Sequence, residues 1–134
     1  MSGFGPKAAV LGLALALALA LALAAPMAGR ALAGEADVLR VEAVPEGGGT
    51  WRFHVTVRHD DTGWDHYADK WDVVAPDVTL LGSRVLLHPH ESEQPFTRSL
   101  GGVAVPANID RVTLRAHDSV HGLGGKEATV ELRR

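Results

Sequence analysis

Cysteine is absent from this 134-residue chain. No disulfide can staple the fold, no thiolate can bind a metal, and lipid attachment through a lipobox cysteine is excluded. Methionine is missing from the neighbourhood of the histidines as well, which together with the lack of cysteine disfavours a blue-copper or soft Cu(I) centre. Beyond Gly34 no stretch sustains a helical apolar stripe, and there is no internal repeat, low-complexity linker or run of like charge. Named motifs are lacking too. There is no His-Glu-x-x-His, no zinc-finger spacing and no Gly-x-Ser-x-Gly elbow, and Asp60-Asp61-Thr62-Gly63-Trp64-Asp65 does not have the spacing of a calcium loop. Any metal would have to be held by nitrogen and oxygen.

What is present begins with a leader. Lys7 supplies a positive start, an Ala/Leu run follows from Ala8 to Ala25, and Ala31-Leu32-Ala33 offers small residues at the cleavage positions. Residues 1–33 are therefore expected to be a secretory signal peptide cut after Ala33. The apolar run is just long enough for a membrane anchor, but Pro26, Gly29 and the Ala-x-Ala site favour removal, leaving no membrane attachment. Residues 34–134 are long enough for one domain, expected in the periplasm or secreted. Taking Lys7 and Arg30 from the 13 basic residues leaves 11 against 16 acids, a net charge of −5, which argues against nucleic acid as a partner. All seven histidines and all three tryptophans fall in this part.

Its periodicity is that of strands. Val38 to Val44 closes on the turn Pro45-Glu46-Gly47-Gly48-Gly49, and then Trp51, Phe53, Val55 and Val57 alternate with Arg52, His54, Thr56 and Arg58, one face dry and one wet. His54 belongs to the wet face. A strand is predicted from Tyr67 to Val74, with Tyr67, Trp71 and Val73 on one face and Trp71 in the core. Another runs from Thr79 to Leu87, with Gly82 marking a bulge, and another from Pro95 to Val105, bending at Gly101-Gly102. Ile109 to Ala116 and the segment around Ala128, Val130 and Leu132 complete the set. About seven short strands predict an all-β chain, an immunoglobulin/fibronectin-like antiparallel β-sandwich, with a small barrel as the alternative.

If successive strands run up and down, connections one, three and five lie at one end of the sandwich and hold ordinary turn residues. Connections two, four and six lie at the other and carry His59, His66, His88, His90, His117 and His121, with Asp60, Asp61, Asp65, Glu91, Glu93 and Asp118. Six of the seven histidines thus map to one end. Loops on a rigid sandwich commonly display binding residues, and imidazole is the commonest protein ligand for zinc and copper. His88-Pro89-His90 leads the candidates, because a histidine before proline is pushed to extended backbone and residues i and i+2 then face one side. His117 and His121 come next, then His59 and His66. Six imidazoles exceed one tetrahedral site, so some are expected to orient ligands rather than bind.

The motifs Thr62-Gly63-Trp64-Asp65-His66-Tyr67-Ala68-Asp69-Lys70-Trp71-Asp72, Leu86-Leu87-His88-Pro89-His90 and Ala116-His117-Asp118-Ser119-Val120-His121-Gly122 resemble those of a functionally uncharacterised family of small secreted bacterial β-sandwich-like proteins. The resemblance spans most of residues 34–134 and implies no catalytic residues. Where that family's pattern places glycine in the turn after Ala75-Pro76-Asp77, this chain has Val78, so a different turn is expected there.

The expectation is a secreted or periplasmic transition-metal-binding or metal-delivery protein, copper or zinc being the ions best suited to the donors. A periplasmic protein partner would accompany delivery. Two other functions compete: an interaction module whose clustered imidazoles gain charge between about pH 5 and 8, and a small metalloenzyme using Asp118 or Glu91 as general acid or base. The hydrolytic trio suggested by His117-Asp118-Ser119 is disfavoured, since adjacent residues do not form that geometry. The glycines from Gly122 to Gly125 precede a strand rather than a helix, which suits a flexible hairpin connection better than a phosphate loop.

Overall fold

A computed structural model describes residues 34–134. The expected signal peptide, residues 1–33, lies outside the described residues. Seven strands follow one another: β1 (Asp37–Gly47), β2 (Thr50–Arg58), β3 (Ala68–Val74), β4 (Leu80–Val85), β5 (Phe96–Ala104), β6 (Arg111–Asp118) and β7 (Ala128–Glu131). They form two sheets, β1-β2-β5 and β4-β3-β6-β7, and every pairing is antiparallel. This is the immunoglobulin/fibronectin-like sandwich that the alternation predicts.

The alternation also sets the core. On β2, Trp51, Phe53, Val55 and Val57 are almost fully buried, while Arg52, His54 and Thr56 alternate with them outside. On β6, Val112, Leu114 and Ala116 do the same opposite them. Trp71, Val73 and Phe96 complete a single apolar cluster drawn from both sheets. Each such side chain contributes about 1.5–3 kcal/mol by leaving water, which lets the domain manage without disulfides.

The β1–β2 hairpin turns on Gly48 and Gly49, whose φ angles of 64° and 78° are those of a type I′ turn matched to strand twist. The ladder shifts register beside Gly82, between Val73 and Val74, and again where Trp51 and Phe53 face the Gly101-Gly102 segment. A third shift, between Ala68 and Lys70, corrects one expectation. It changes the phase of β3, so Ala68 rather than Tyr67 shares the buried face with Trp71 and Val73. Tyr67 instead packs edge-on against the exposed Trp64, ring centroids 5.5 Å apart.

The turn after β3 places a valine in a left-handed position. Val78 has φ 62°, its N–H donates to Ala75 O at 2.9 Å, and the Ala75 N–H donates to Thr79 O at 2.9 Å. The left-handed strain of this turn is thus borne by a β-branched residue.

Connections two, four and six do meet at one end. The His59 N–H donates to Gln94 Oε1 at 3.0 Å, Asp61 reaches His90, and His66 reaches Asp118. The start of the domain arrives there too, Gly34 O lying beside His59. At the opposite end the Val105 N–H donates to Gly49 O at 3.0 Å, and Arg134 donates to Pro106 O at 3.1 Å.

Candidate metal centre

The site is built where the core ends. Continuing the inward phase of β2 past Val57 gives His59, and continuing that of β6 past Ala116 gives Asp118. Both remain buried, His59 at 3% exposure and Asp118 at 0%. One comes from each sheet, so polar side chains close the gap that apolar ones fill lower down. His66, at the start of the chain's return to β3, completes the group from the side.

His59 Nε2 lies 3.2 Å from His66 Nε2, and His66 Nε2 lies 3.2 Å from Asp118 Oδ1. The three donor atoms fall within 4.8 Å of one another. Ligands at 2.0–2.1 Å from a tetrahedral zinc ion are separated by about 3.3 Å, so the two 3.2 Å separations about His66 are those of ligands sharing a small divalent ion. His121 stands at the rim, Nδ1 3.4 Å from Asp118 Oδ1, with its ring 4.9 Å from that of His66.

Asp61 holds this arrangement in place. Its Oδ1 accepts from His59 Nδ1 at 2.5 Å and from the Ala68 N–H at 3.0 Å, and its Oδ2 accepts from the His90 N–H at 2.7 Å. With Nδ1 turned to Asp61, Nε2 of His59 is the ring nitrogen that faces His66, the arrangement that orients metal-bound histidines, and it also lies 3.0 Å from Gly34 O. Asp61 thereby ties connections two and four and the head of β3 to one carboxylate.

Asp118 is held differently. Burial by itself raises its pKa, but the N–H groups of His121 and Val120, donating to Oδ1 at 2.7 and 2.9 Å, and the charges of His59 and His121 outweigh it and keep the carboxyl below its ordinary value. Its Oδ2 is buried and has no hydrogen-bond partner. Among the described residues, the ion-pair partners of Asp61 and Asp118 are all histidines. Two buried carboxylates without a lysine or arginine leave negative charge that a divalent cation would neutralise.

The other histidines sit elsewhere. His88 is exposed, its Nδ1 2.9 Å from Pro89 O. Its ring centroid is 4.6 Å from that of His90, so the two rings are neighbours as the His-Pro-His spacing predicts. His90, however, is buried and stacked on Phe96 at 4.0 Å, and Arg98 donates to its Nε2 at 3.0 Å. A guanidinium on that nitrogen occupies the lone pair a metal would need. Burial, then the charges of Arg98 and His88, lower the pKa of His90. His117 points to the outer face of its sheet, where Nδ1 is 2.6 Å from Asp69 Oδ1. His54 lies on the wet face of β2.

The structure thus brings together His59, His66 and Asp118, with His121 beside them, and leaves His88, His90 and His117 outside that group. Asp61 was legible only as an acid at the same end, and Asp118 as an acid there and a candidate general acid or base. The signal for Asp118 was its phase: it follows Val112, Leu114 and Ala116 at intervals of two, one step beyond where the alternation of apolar residues stops.

No family model matches this chain. A protein of Halomicrobium mukohataei named "Putative lipoprotein" is 44% identical to it over 97 residues, 72% of this chain and 47% of that protein. The chain spans about half the length of that relative. No solved structure matches.

Proposed function

We propose that the histidine end of the sandwich binds one divalent transition-metal ion through His59 Nε2, His66 Nε2 and the Asp118 carboxylate, with His121 as the residue best placed to join them. The observation that carries this reading is that His66 Nε2 lies 3.2 Å from both His59 Nε2 and the fully buried Asp118 carboxylate, all three donor atoms falling within 4.8 Å of one another, with a carboxylate oxygen left unpaired. A donor set of nitrogen and oxygen without thiolate suits zinc or Cu(II). The relative's name supports a place on the outer side of the cytoplasmic membrane, in the periplasm or secreted. This chain has no cysteine to carry a lipid.

Binding followed by delivery to a partner protein is the favoured use. Trp64, Leu87 and Val120 stand 66%, 75% and 58% exposed on the same three connections. Exposed apolar side chains at the end that holds the site are what a docking partner would cover.

The test is elemental mass spectrometry of residues 34–134 after incubation with zinc or copper and removal of excess. About one ion per chain is expected, lost in His59→Ala/His66→Ala and kept in His88→Ala/His90→Ala. Retention by the first variant, or no uptake by the native chain, would refute the site.

A further inference from the structure

The amino-terminal segment of the domain is fixed against this site by the connection that precedes β7. Ala36 is fully buried in the core. The Lys126 N–H donates to Asp37 Oδ1 at 2.7 Å, and the Val38 N–H donates to Lys126 O at 2.8 Å. Gly125 makes the approach possible, since a Cβ there would sit 1.9 Å from Ala36 O. Two residues before this clamp, Gly34 O lies 3.0 Å from His59 Nε2. That is the same scale as the 3.2 Å separations within the histidine and carboxylate group, so the backbone of Gly34 lies against His59 at the edge of that group.

Gly34 is also the residue that follows Ala31-Leu32-Ala33. Cleavage after Ala33, the expectation on which this inference also rests, would consume one water, leave a carboxylate on Ala33 and give Gly34 a free amine. We infer that this new amine, once it gives up its proton to solvent, joins His59, His66 and Asp118 as a ligand, so that removal of the leader completes the metal site. This inference rests on the metal reading above. The amine nitrogen and carbonyl oxygen of one glycine are separated by two carbons. They can close a five-membered chelate on one ion with a bite of about 2.7 Å, set by ordinary backbone dimensions. An amine beside two imidazoles and an oxygen is a donor set that favours Cu(II) in tetragonal geometry. Before cleavage the same nitrogen is an amide, a far poorer donor, which would keep the precursor from binding tightly.

The apolar cluster and both sheets lie within residues 34–134, which form one compact unit, so this part can be studied alone. Three forms are compared with Cu(II) as the probe: the chain beginning at Gly34, the same chain acetylated on the Gly34 amine, and the chain preceded by two extra residues. Affinity is read by competition with a chelator, and ligation by electron paramagnetic resonance with and without ¹⁵N at Gly34. The Gly34 form is expected to bind at least tenfold tighter than the other two, with a nitrogen splitting that changes on labelling. Equal affinities and an unchanged splitting would overturn the amine's role while leaving the histidine and carboxylate site standing. No Cu(II) binding by any form would overturn both. An exported protein whose first residue is not Gly34 would also overturn the inference.

Discussion

His59 and Asp118 occupy equivalent places on opposite sheets. Each is the next inward position after a column of buried apolar residues, Trp51 to Val57 on one side and Val112 to Ala116 on the other. The two columns face each other across the sandwich, so the two polar side chains that extend them meet at its end. The site is thus a polar cap on the core, held by the same alternation that builds the core.

Asp118→Asn tests the charge at that cap. The amide oxygen can still accept from the N–H groups of Val120 and His121, so the fold is expected to survive. Metal affinity is expected to fall by on the order of 100-fold or more, since a ligating carboxylate is replaced by a neutral, weaker donor. Circular dichroism and competition titration separate the two effects, and undiminished affinity would exclude Asp118 as a ligand.

Asp61→Ala removes the acceptor for three donors at once: His59 Nδ1, the Ala68 N–H and the His90 N–H. Leaving buried donors unpaired is expected to cost about 3–5 kcal/mol of stability, read from urea unfolding of metal-free protein. Any variant that folds should also bind metal more weakly, because His59 loses the partner that fixes its tautomer. A loss below about 1 kcal/mol would show that these bonds are replaced by water.

His90 predicts a pH dependence. Burial, then Arg98 and His88, hold its folded pKa below the ordinary 6.5. In the window from about 6.5 down to that lowered value the unfolded chain binds the proton and the folded chain does not. Stability of the metal-free protein therefore falls as pH drops through this window and is regained as pH rises. His90→Gln should show a shallower fall between pH 7.5 and 5.5 than the native chain, measured by urea unfolding at each pH. Identical slopes would place the acid sensitivity elsewhere.

Val78→Gly should raise stability. A β-branched residue at φ 62° bears a left-handed strain of about 1–2 kcal/mol, partly offset by the greater freedom glycine brings to the unfolded chain. The expected net gain is about 0.5–1 kcal/mol, visible as a rise in Tm, with metal binding untouched because the turn lies at the far end. A lower Tm would mean that the Val78 side chain, though exposed, contributes more than its backbone costs.

The sequence by itself determined the strands, their buried faces except at the head of β3, and the end of the sandwich to which the connections carrying the histidines run. A period of two assigns side chains to faces without reference to any partner, and strict up-and-down alternation assigns connections to ends. Which histidines meet was decided only by tertiary structure. His88 and His90 lie side by side as local geometry predicts, yet Phe96 and Arg98, brought over by β5, hold the His90 ring for packing. His59, His66, Asp118 and the backbone of Gly34 are far apart along the chain and come together because two sheets pack on one core and a buried carboxylate, Asp61, ties their connections. Proximity between such positions depends on sheet packing and on a shift of register at the head of β3. Those are properties of the assembled fold, and no local spacing encodes them.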